Sequence, residues 1–217
     1  MILIGRYRSP FTRRVAVSMR LLGIAYEHRP LTVWSAMDEV RAVNPVGRVP
    51  ALILDSGETL FDGNAILDYF DTLSGPARAL VPATEPARHE VMRIVACAIG
   101  ALEKVVAALY EVTMHPPEKV HAPWVEHNEE QARRALAWLE AIDAAPWLHG
   151  DHLTQADVTT AVMLDFTRIV NPALVSHEQY PRLIGHAARC NALPAFAETY
   201  PGSAVDQANP KLPSNSR

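Results

Sequence analysis

Three short segments of the chain carry residues that could bind a small ligand or act on it. The first contains Ser9, Pro10 and Phe11, between a short apolar run and a helical pattern. Because proline is tolerated in the first turn of a helix, Ser9 is predicted to lie at a helix N-terminus. Free backbone N–H groups and the helix dipole favour an anion there. The same spacing fits a serine that only caps the helix, and the sequence leaves both interpretations open.

The second segment spans residues 44–52 and has the sequence Asn-Pro-Val-Gly-Arg-Val-Pro-Ala-Leu. Pro50 stands at the start of an apolar strand pattern, where proline is tolerated only at an edge or at the first position. A cis bond between Val49 and Pro50 would turn the Val49 backbone toward an open site. An ordinary entry into a strand remains the alternative.

The third segment begins another predicted helix, with Asp62 and Gly63 before an apolar pattern. Aspartate is a good helix cap, and its carboxylate could also hold a ligand ammonium group. Simple capping is the alternative. Each of the three segments is common alone, and their combination is more specific than any one of them.

Strand and helix patterns alternate over the first 74 residues and would position these segments. Apolar runs and turn residues predict strands at 1–4, 25–31, 49–54 and 59–61. Helical spacing predicts helices at 11–22, 35–43 and 62–73. The last helix has an expected inner face of Ile66, Tyr69, Phe70 and Leu73. The order β-α-β-α-β-β-α predicts a mixed sheet covered by helices.

The remainder of the chain has a different character. Residues 75–85 contain proline, glycine and alanine and are predicted to be a linker. From residue 86 to residue 200 the patterns are helical, with helices expected at 94–109, 131–144, 154–170, 183–193 and 195–200. Residues 201–217 have little to bury and are expected to form a loose tail. We therefore expect two domains, 1–74 and 86–200.

Composition limits the class of function. The chain has 20 Lys and Arg against 24 Asp and Glu, a net charge of −4, which argues against a nucleic-acid partner. The longest nearly apolar run, 94–102, falls short of the ~20 residues of a membrane span. No leader pattern is evident, and the two cysteines, Cys97 and Cys190, fit a reducing compartment. We expect a cytoplasmic protein without a membrane partner.

The order and spacing of the three segments resemble the glutathione transferases over nearly the whole chain. Ser9-Pro10-Phe11 followed by Arg14-Val15 looks like the serine-type start of tau-class and related bacterial members. The stretch at 47–50, Gly-Arg-Val-Pro, resembles the cis-proline element of the family. The resemblance implies an α+β, thioredoxin-like N-terminal domain and an all-α, helical-bundle C-terminal domain.

Two stretches of the second half carry the same resemblance. Residues 153–157, Leu-Thr-Gln-Ala-Asp, are similar to the S/T-x-x-D capping box that starts a buried helix in the family. Residues 180–183 and 193–196 are similar to its C-terminal signature. Relatives are typically homodimers in which the first domain of one subunit meets the second domain of the other, and we expect the same here.

The resemblance also implies roles for individual residues. Ser9 would donate a hydrogen bond to the glutathione thiolate, with Tyr7 as the rival donor because other classes use a tyrosine near this strand end. The other expected glutathione-binding residues are Phe11, Arg48, Val49, Pro50, Asp62 and Gly63. An electrophile pocket is expected between the domains, with Tyr7, Tyr110 and Met114 as candidates, although core packing is an equal alternative for Tyr110.

Four of these residues would meet separate parts of the tripeptide. The Val49 backbone would pair with the cysteinyl part in the manner of an added strand. The Arg48 guanidinium would meet the glycyl carboxylate. Asp62 would take the γ-glutamyl ammonium, and the Gly63 N–H would take the γ-glutamyl carboxylate.

Gly63 departs from the pattern of the family, which has serine after the acidic residue. The loss of one hydroxyl bond to a carboxylate, about 1.5–3 kcal/mol, would weaken glutathione binding about ten- to a hundredfold. Asn64 or a water could compensate. The chain therefore supports two functions: an enzyme that conjugates the glutathione thiolate to a small electrophile or reduces a peroxide, and a non-catalytic binding or partner protein.

Missing residues narrow the chemistry further. Neither Ser9 nor Thr12 is cysteine, although they stand where thioredoxins carry Cys-x-x-Cys, and the Ser-Ser-Cys start of the isomerase subgroup is also missing. Cys97 and Cys190 are expected to pack in helices. His149 and His152 have the composition of metal ligands but are expected in a solvent-facing loop. We expect no metal and no cofactor, with glutathione as co-substrate.

Overall fold

The computed structural model describes residues 1–143 and 146–202 of the chain. Its strands are β1 (Ile2–Ile4), β2 (Glu27–Arg29), β3 (Ala51–Ile53) and β4 (Thr59–Phe61). Its α-helices are α1 (Pro10–Leu21), α2 (Met37–Val43), α3 (Gly63–Ser74), α4 (Ala87–Met114), α5 (Ala122–Glu140), α6 (Gln155–Val170), α7 (Pro181–Asn191) and α8 (Pro194–Ala197). The tail expected after residue 202, and the helix end expected at 144, lie outside the described ranges.

The four strands form one mixed sheet in the order β2-β1-β3-β4. β1 pairs parallel to β2, with Ile4 opposite Arg29, and antiparallel to β3, with Ile4 opposite Ala51. β3 pairs antiparallel to β4, with Ala51 opposite Phe61. The predicted order of strands and helices is confirmed, and each of the first three strands is shorter than its apolar pattern. The C-terminal end of β1 therefore lies beside the start of β3.

Helices α1 and α3 bury their apolar residues together with this sheet. Val15 and Met19 of α1 are fully buried, and so are Leu3 and Leu52 of the sheet. The buried stripe of α3 consists of Gly63, Ile66, Leu67 and Phe70. The expected inner face is therefore wrong in part: the stripe is turned toward Leu67, which leaves Leu73 exposed.

The second half of the described chain contains only helices. In α6, twelve of the sixteen residues are buried, and α6 packs against both α4 and α7. The predicted capping box is present at its start. Asp157 accepts hydrogen bonds from the backbone N–H and the hydroxyl of Thr154, at 2.7 and 2.9 Å, and from Leu148 N at 2.8 Å. These bonds tie the preceding loop to the first turn of α6.

The chain divides into two compact units, and the boundaries differ from those expected. The first unit comprises Met1–Ala79 and the described residues from Ala192 onward, and the second comprises Leu80–Asn191. The first boundary falls inside the expected linker. The expected second domain continued to residue 200, but α8 packs against α1, and Arg13 Nη2 donates to the Phe196 carbonyl oxygen at 3.4 Å. In the described ranges no helix is long and apolar enough to cross a bilayer.

Candidate functional site

Ser9 caps the N-terminus of α1, as its position before Pro10 predicts. Its backbone is extended (φ −72°, ψ 117°), and Pro10 occupies the first turn. The Ser9 hydroxyl oxygen accepts a long hydrogen bond from Thr12 N, 3.4 Å away. A hydroxyl that accepts one bond still has its own hydrogen to donate. Ser9 is half-buried, so a ligand beside the helix N-terminus could receive that hydrogen bond.

Tyr7 lies in a very different environment from Ser9. Its side chain is only 1% exposed, and its ring stacks on the ring of His28 with centroids 4.0 Å apart. The Tyr7 and Tyr26 hydroxyl oxygens are 2.8 Å apart and share a hydrogen bond. Burial raises the pKa of the Tyr7 phenol above its ordinary value, and the bond to Tyr26 raises it further. The Tyr7 hydroxyl is therefore already engaged inside the first unit.

The loop before β3 is held by one buried amide that the sequence did not single out. The peptide bond between Val49 and Pro50 is cis, as expected. Asn44 is 3% exposed, its Nδ2 donates to the Arg48 carbonyl oxygen at 2.8 Å, and its Oδ1 accepts from Val46 N at 3.0 Å. This pair of bonds fixes the turn that presents Arg48 and Val49. The sequence signal for this turn is Asn44 before Pro45, a pair that is also typical of a helix end.

Gly5 lets this loop approach the start of α1. Its φ of +126° lies in the region that favours glycine. A β-carbon at this position would stand 2.9 Å from Val49 Cβ and would overlap the Thr12 hydroxyl. The first and second sequence segments therefore meet at the end of β1. The two segments also meet through side chains, because the Arg48 guanidinium of the second lies 5.8 Å from the centroid of the Phe11 ring of the first.

The third segment contacts the other two at the start of α3. Asp62 adopts a left-handed conformation (φ 66°) and accepts a hydrogen bond from Asn64 N at 2.8 Å. Gly63 is buried. A β-carbon on it would lie 3.6 Å from the Phe11 carbonyl oxygen and 3.7 Å from Pro50 Cγ. The N-termini of α1 and α3 and the cis-proline loop thus converge on one region of the first unit.

The remaining candidates lie in the second unit. Tyr110 and Met114 are 44% and 48% exposed on the last turns of α4, so their side chains are not part of the core. His149 Nδ1 lies 3.3 Å from Glu90 Oε2. Cys97 is half-buried in α4, where burial raises the pKa of its thiol. Within the described residues, no group of three or more His, Cys, Asp or Glu could hold a metal ion.

Comparisons with protein families match both halves of the chain. The family "Glutathione S-transferase, N-terminal domain" matches residues 3–78. The family "Glutathione S-transferase, C-terminal domain" matches residues 122–189. Both agree with the observed fold, a thioredoxin-like unit with a mixed sheet and an all-helical unit.

Individual relatives extend these matches over most of the chain. A maleylacetoacetate isomerase from Pseudomonas aeruginosa is 32% identical, covering 92% of this chain and 95% of the relative. A glutathione S-transferase from Methylobacillus flagellatus, solved with glutathione bound, has a TM-score of 0.85 at 27% identity and covers 91% of this chain and 98% of its own. A glutathione transferase family member from Pseudomonas fluorescens with bound glutathione has a TM-score of 0.82 at 29% identity, covering 91% and 97%.

Proposed function

The chain belongs to the glutathione S-transferase family, and we propose that it conjugates glutathione, through its sulfur, to a small hydrophobic electrophile. The observation that carries the proposal is the convergence of three ligand-binding segments in the first unit. Ser9 caps α1, Asp62 caps α3, and the cis-proline loop packs against both helix starts. Structural neighbours solved with bound glutathione support the same ligand.

Ser9 is proposed as the donor that stabilises the thiolate. A free thiol has a pKa of ~8.5, so only a few per cent is ionised at pH 7. A hydrogen bond to a charged group is worth about 1.5–3 kcal/mol, which corresponds to a shift of roughly one to two pKa units. That shift raises the thiolate fraction of bound glutathione at pH 7 from a few per cent to between about a quarter and three quarters. The thiol proton passes to solvent when the thiolate forms. The sulfur then attacks the electrophilic carbon, a C–S bond forms, and the bond from that carbon to its leaving group breaks, so that an aryl chloride releases chloride with the bonding electron pair. Ser9 itself stays unmodified.

The other site residues are proposed to bind the two ends of the tripeptide. Arg48 is exposed beside the Phe11 ring and could reach the glycyl carboxylate. Asp62 is exposed at the start of α3 and could take the γ-glutamyl ammonium. The backbone of Val49, which precedes β3, is proposed to pair with the cysteinyl part. Tyr110 and Met114 remain proposed contacts of the electrophile.

Isomerase activity is a second candidate, favoured by the 32% identity to a maleylacetoacetate isomerase. A protein from Euphorbia esula described as a zeta-class glutathione S-transferase is also 26% identical over 94% of this chain. The Ser-Ser-Cys start that we associate with the isomerase subgroup is replaced here by Ser9-Pro10-Phe11. The tau-like, serine-type assignment is likewise a proposal, as are a cytoplasmic location and a role in detoxification.

Two measurements on the purified protein separate these functions. Calorimetric titration with glutathione tests binding, and turnover is then assayed with 1-chloro-2,4-dinitrobenzene, with a hydroperoxide and with maleylacetoacetate. We expect millimolar or tighter binding and conjugation of the aryl halide. Isomerisation without conjugation would favour the second candidate. Binding without any turnover would favour a non-catalytic role, and no binding at millimolar glutathione would contradict the proposal.

A further inference from the structure

Arg14 is a buried cation beside the candidate site to which no role has been given above. It lies on α1, is 3% exposed, and its Nε has no hydrogen-bond partner within the described part of the chain. Burial lowers the pKa of the guanidinium to about 10, and the Asp62 carboxylate opposes that effect. Arg14 is therefore still a cation at neutral pH. A buried charge with too few hydrogen-bond partners costs folding free energy. A ligand group that pairs with the guanidinium would explain why an arginine stands at this position.

The part of α1 that carries Arg14 packs against the start of α3. The neighbouring Val15 places Cγ2 3.7 Å from where a Gly63 β-carbon would stand, and the Phe11 carbonyl oxygen lies 3.6 Å from it. The first turns of α1 are thus packed against the N-terminus of α3. The attraction between Arg14 and Asp62 indicates that the guanidinium is directed to the same region.

Gly63 lacks the side-chain donor that the family uses to bind the γ-glutamyl carboxylate. This group carries one ammonium and one carboxylate, and Asp62 can serve only the ammonium. A serine at position 63 would give the carboxylate a hydroxyl donor, but glycine offers only its backbone N–H. A guanidinium forms charge-assisted hydrogen bonds to carboxylates, which are stronger than those of a neutral hydroxyl.

From the burial of Arg14, its unsatisfied Nε and the packing of α1 on the start of α3, we propose that Arg14 binds the γ-glutamyl carboxylate in place of the missing serine hydroxyl. This inference rests on the proposed function, since it requires glutathione as the ligand. Asp62 and Arg14 would then form a matched pair of charges for the two charged groups of the γ-glutamyl residue.

The experiment compares two ligands and two variants by calorimetry. The ligands are glutathione and γ-aminobutyryl-cysteinyl-glycine, which lacks only the γ-glutamyl carboxylate. The variants are Arg14→Met, a change of similar length that removes the charge, and Arg8→Met as the matched control at an exposed arginine. Asp62, the carboxylate that attracts Arg14, is exposed, so removal of the Arg14 charge leaves no unpaired charge buried, and we expect Arg14→Met to fold.

We expect the wild type to prefer glutathione over the analogue by about ten- to a hundredfold. Arg14→Met should lose most of this preference by weakening glutathione binding alone, and Arg8→Met should keep it. An equal preference in Arg14→Met and the wild type, or an equal weakening of both ligands, would overturn the proposal for Arg14. Failure of the wild type to bind glutathione would instead overturn the proposed function.

A structure of the wild-type complex with glutathione gives a second test that needs no variant. We expect an Arg14 Nη atom within about 2.7–3.2 Å of a γ-glutamyl carboxylate oxygen, the range of a charged hydrogen bond. A separation of more than about 5 Å would overturn the proposal.

Discussion

Ser9 and Tyr7 stand two positions apart in the sequence, but their hydroxyls have different partners. The offset from Pro10 favours Ser9 as the donor, but both residues precede α1 and spacing does not reveal the partners of their hydroxyls. Packing makes the difference, because Tyr7 is enclosed with Tyr26 and His28 while Ser9 stays at the open end of the helix. Such a distinction depends on β2, which is distant in sequence, so a local motif cannot supply it.

At position 63, adding a hydroxyl should strengthen glutathione binding. A β-carbon there meets its neighbours at 3.6–3.7 Å, ordinary contact distances, so Gly63→Ser should fold normally. We expect it to bind glutathione more tightly by at most about tenfold, because the γ-glutamyl carboxylate gains one hydroxyl donor but is already proposed to be bound by Arg14. Calorimetry on the wild type and the variant measures the gain.

Gly63→Ala is the control for this prediction, because it adds the β-carbon without the hydroxyl. Its affinity for glutathione should stay within about threefold of the wild type. If alanine strengthened binding as much as serine, the gain would come from helix stability, and the assignment of the γ-glutamyl carboxylate to this position would be wrong.

Among the elements, the loop before β3 depends on a single side chain. Asn44→Ala removes the bonds to the Arg48 carbonyl and to Val46 N and leaves both groups to find other partners. We expect a loss of about 1–3 kcal/mol in the free energy of unfolding, measured by urea denaturation, together with weaker glutathione binding. Val46→Ala, at an exposed position of the same loop, should change neither quantity. If Asn44→Ala bound glutathione as tightly as the wild type, the loop before β3 would not be part of the glutathione site.

The sequence predicted the elements well where a pattern is local. The order of strands and helices along the chain and the cap at Ser9 follow from short patterns, and the cis bond at Pro50 follows from the resemblance to the family; all three are present. The start of α5 at Ala122 was missed, because its first turns are largely exposed and carry no apolar stripe. The place of α8 with the first unit was missed for another reason, since it depends on contacts with α1 across the whole chain.

The candidate site residues also fall into two groups, those that a local motif identifies and those that only the packed structure identifies. Ser9, Val49 and Asp62 sit in recognisable motifs, and the structure brings their segments together. Asn44 and Arg14 are both buried, and no spacing rule reveals the burial of a polar side chain. A buried arginine in particular has the same appearance in sequence as a solvated one, and only packing identifies it.

For the whole molecule, acid stability should be limited by a buried histidine of the second unit. His186 is fully buried, with Nε2 3.7 Å from Asp157 Oδ1 and 3.6 Å from Cys190 Sγ. Burial lowers the pKa of His186 below 6.5, Asp157 raises it in part, and the Arg189 charge lowers it further. Between the lowered pKa of folded His186 and 6.5, the unfolded chain therefore binds up to one more proton than the folded chain, and stability falls as pH falls.

Urea denaturation between pH 5 and 8 measures this dependence. His186 should contribute at most about 1.4 kcal/mol per pH unit below pH 6.5 and nothing above it. His186→Phe removes the titrating group and should flatten that part of the profile. His177→Gln, at an exposed histidine, should leave the profile unchanged, and a profile that stays steep in His186→Phe would contradict the assignment.

The assembled molecule is predicted to be a homodimer. Light scattering should give a mass of twice the chain mass of 23.9 kDa. The prediction rests on the dimeric state that is typical of the family, and a monomeric mass at micromolar concentration would contradict it.

Ser9 is proposed to stabilise the thiolate of bound glutathione, and a thiolate-absorbance titration of the complex measures this effect. In the wild type and in Tyr7→Phe, the pKa of the bound thiol should lie about one to two units below the free value of ~8.5. In Ser9→Ala, glutathione should still bind, with the pKa returned close to 8.5. An unchanged low pKa in Ser9→Ala, or a raised one in Tyr7→Phe, would contradict the account.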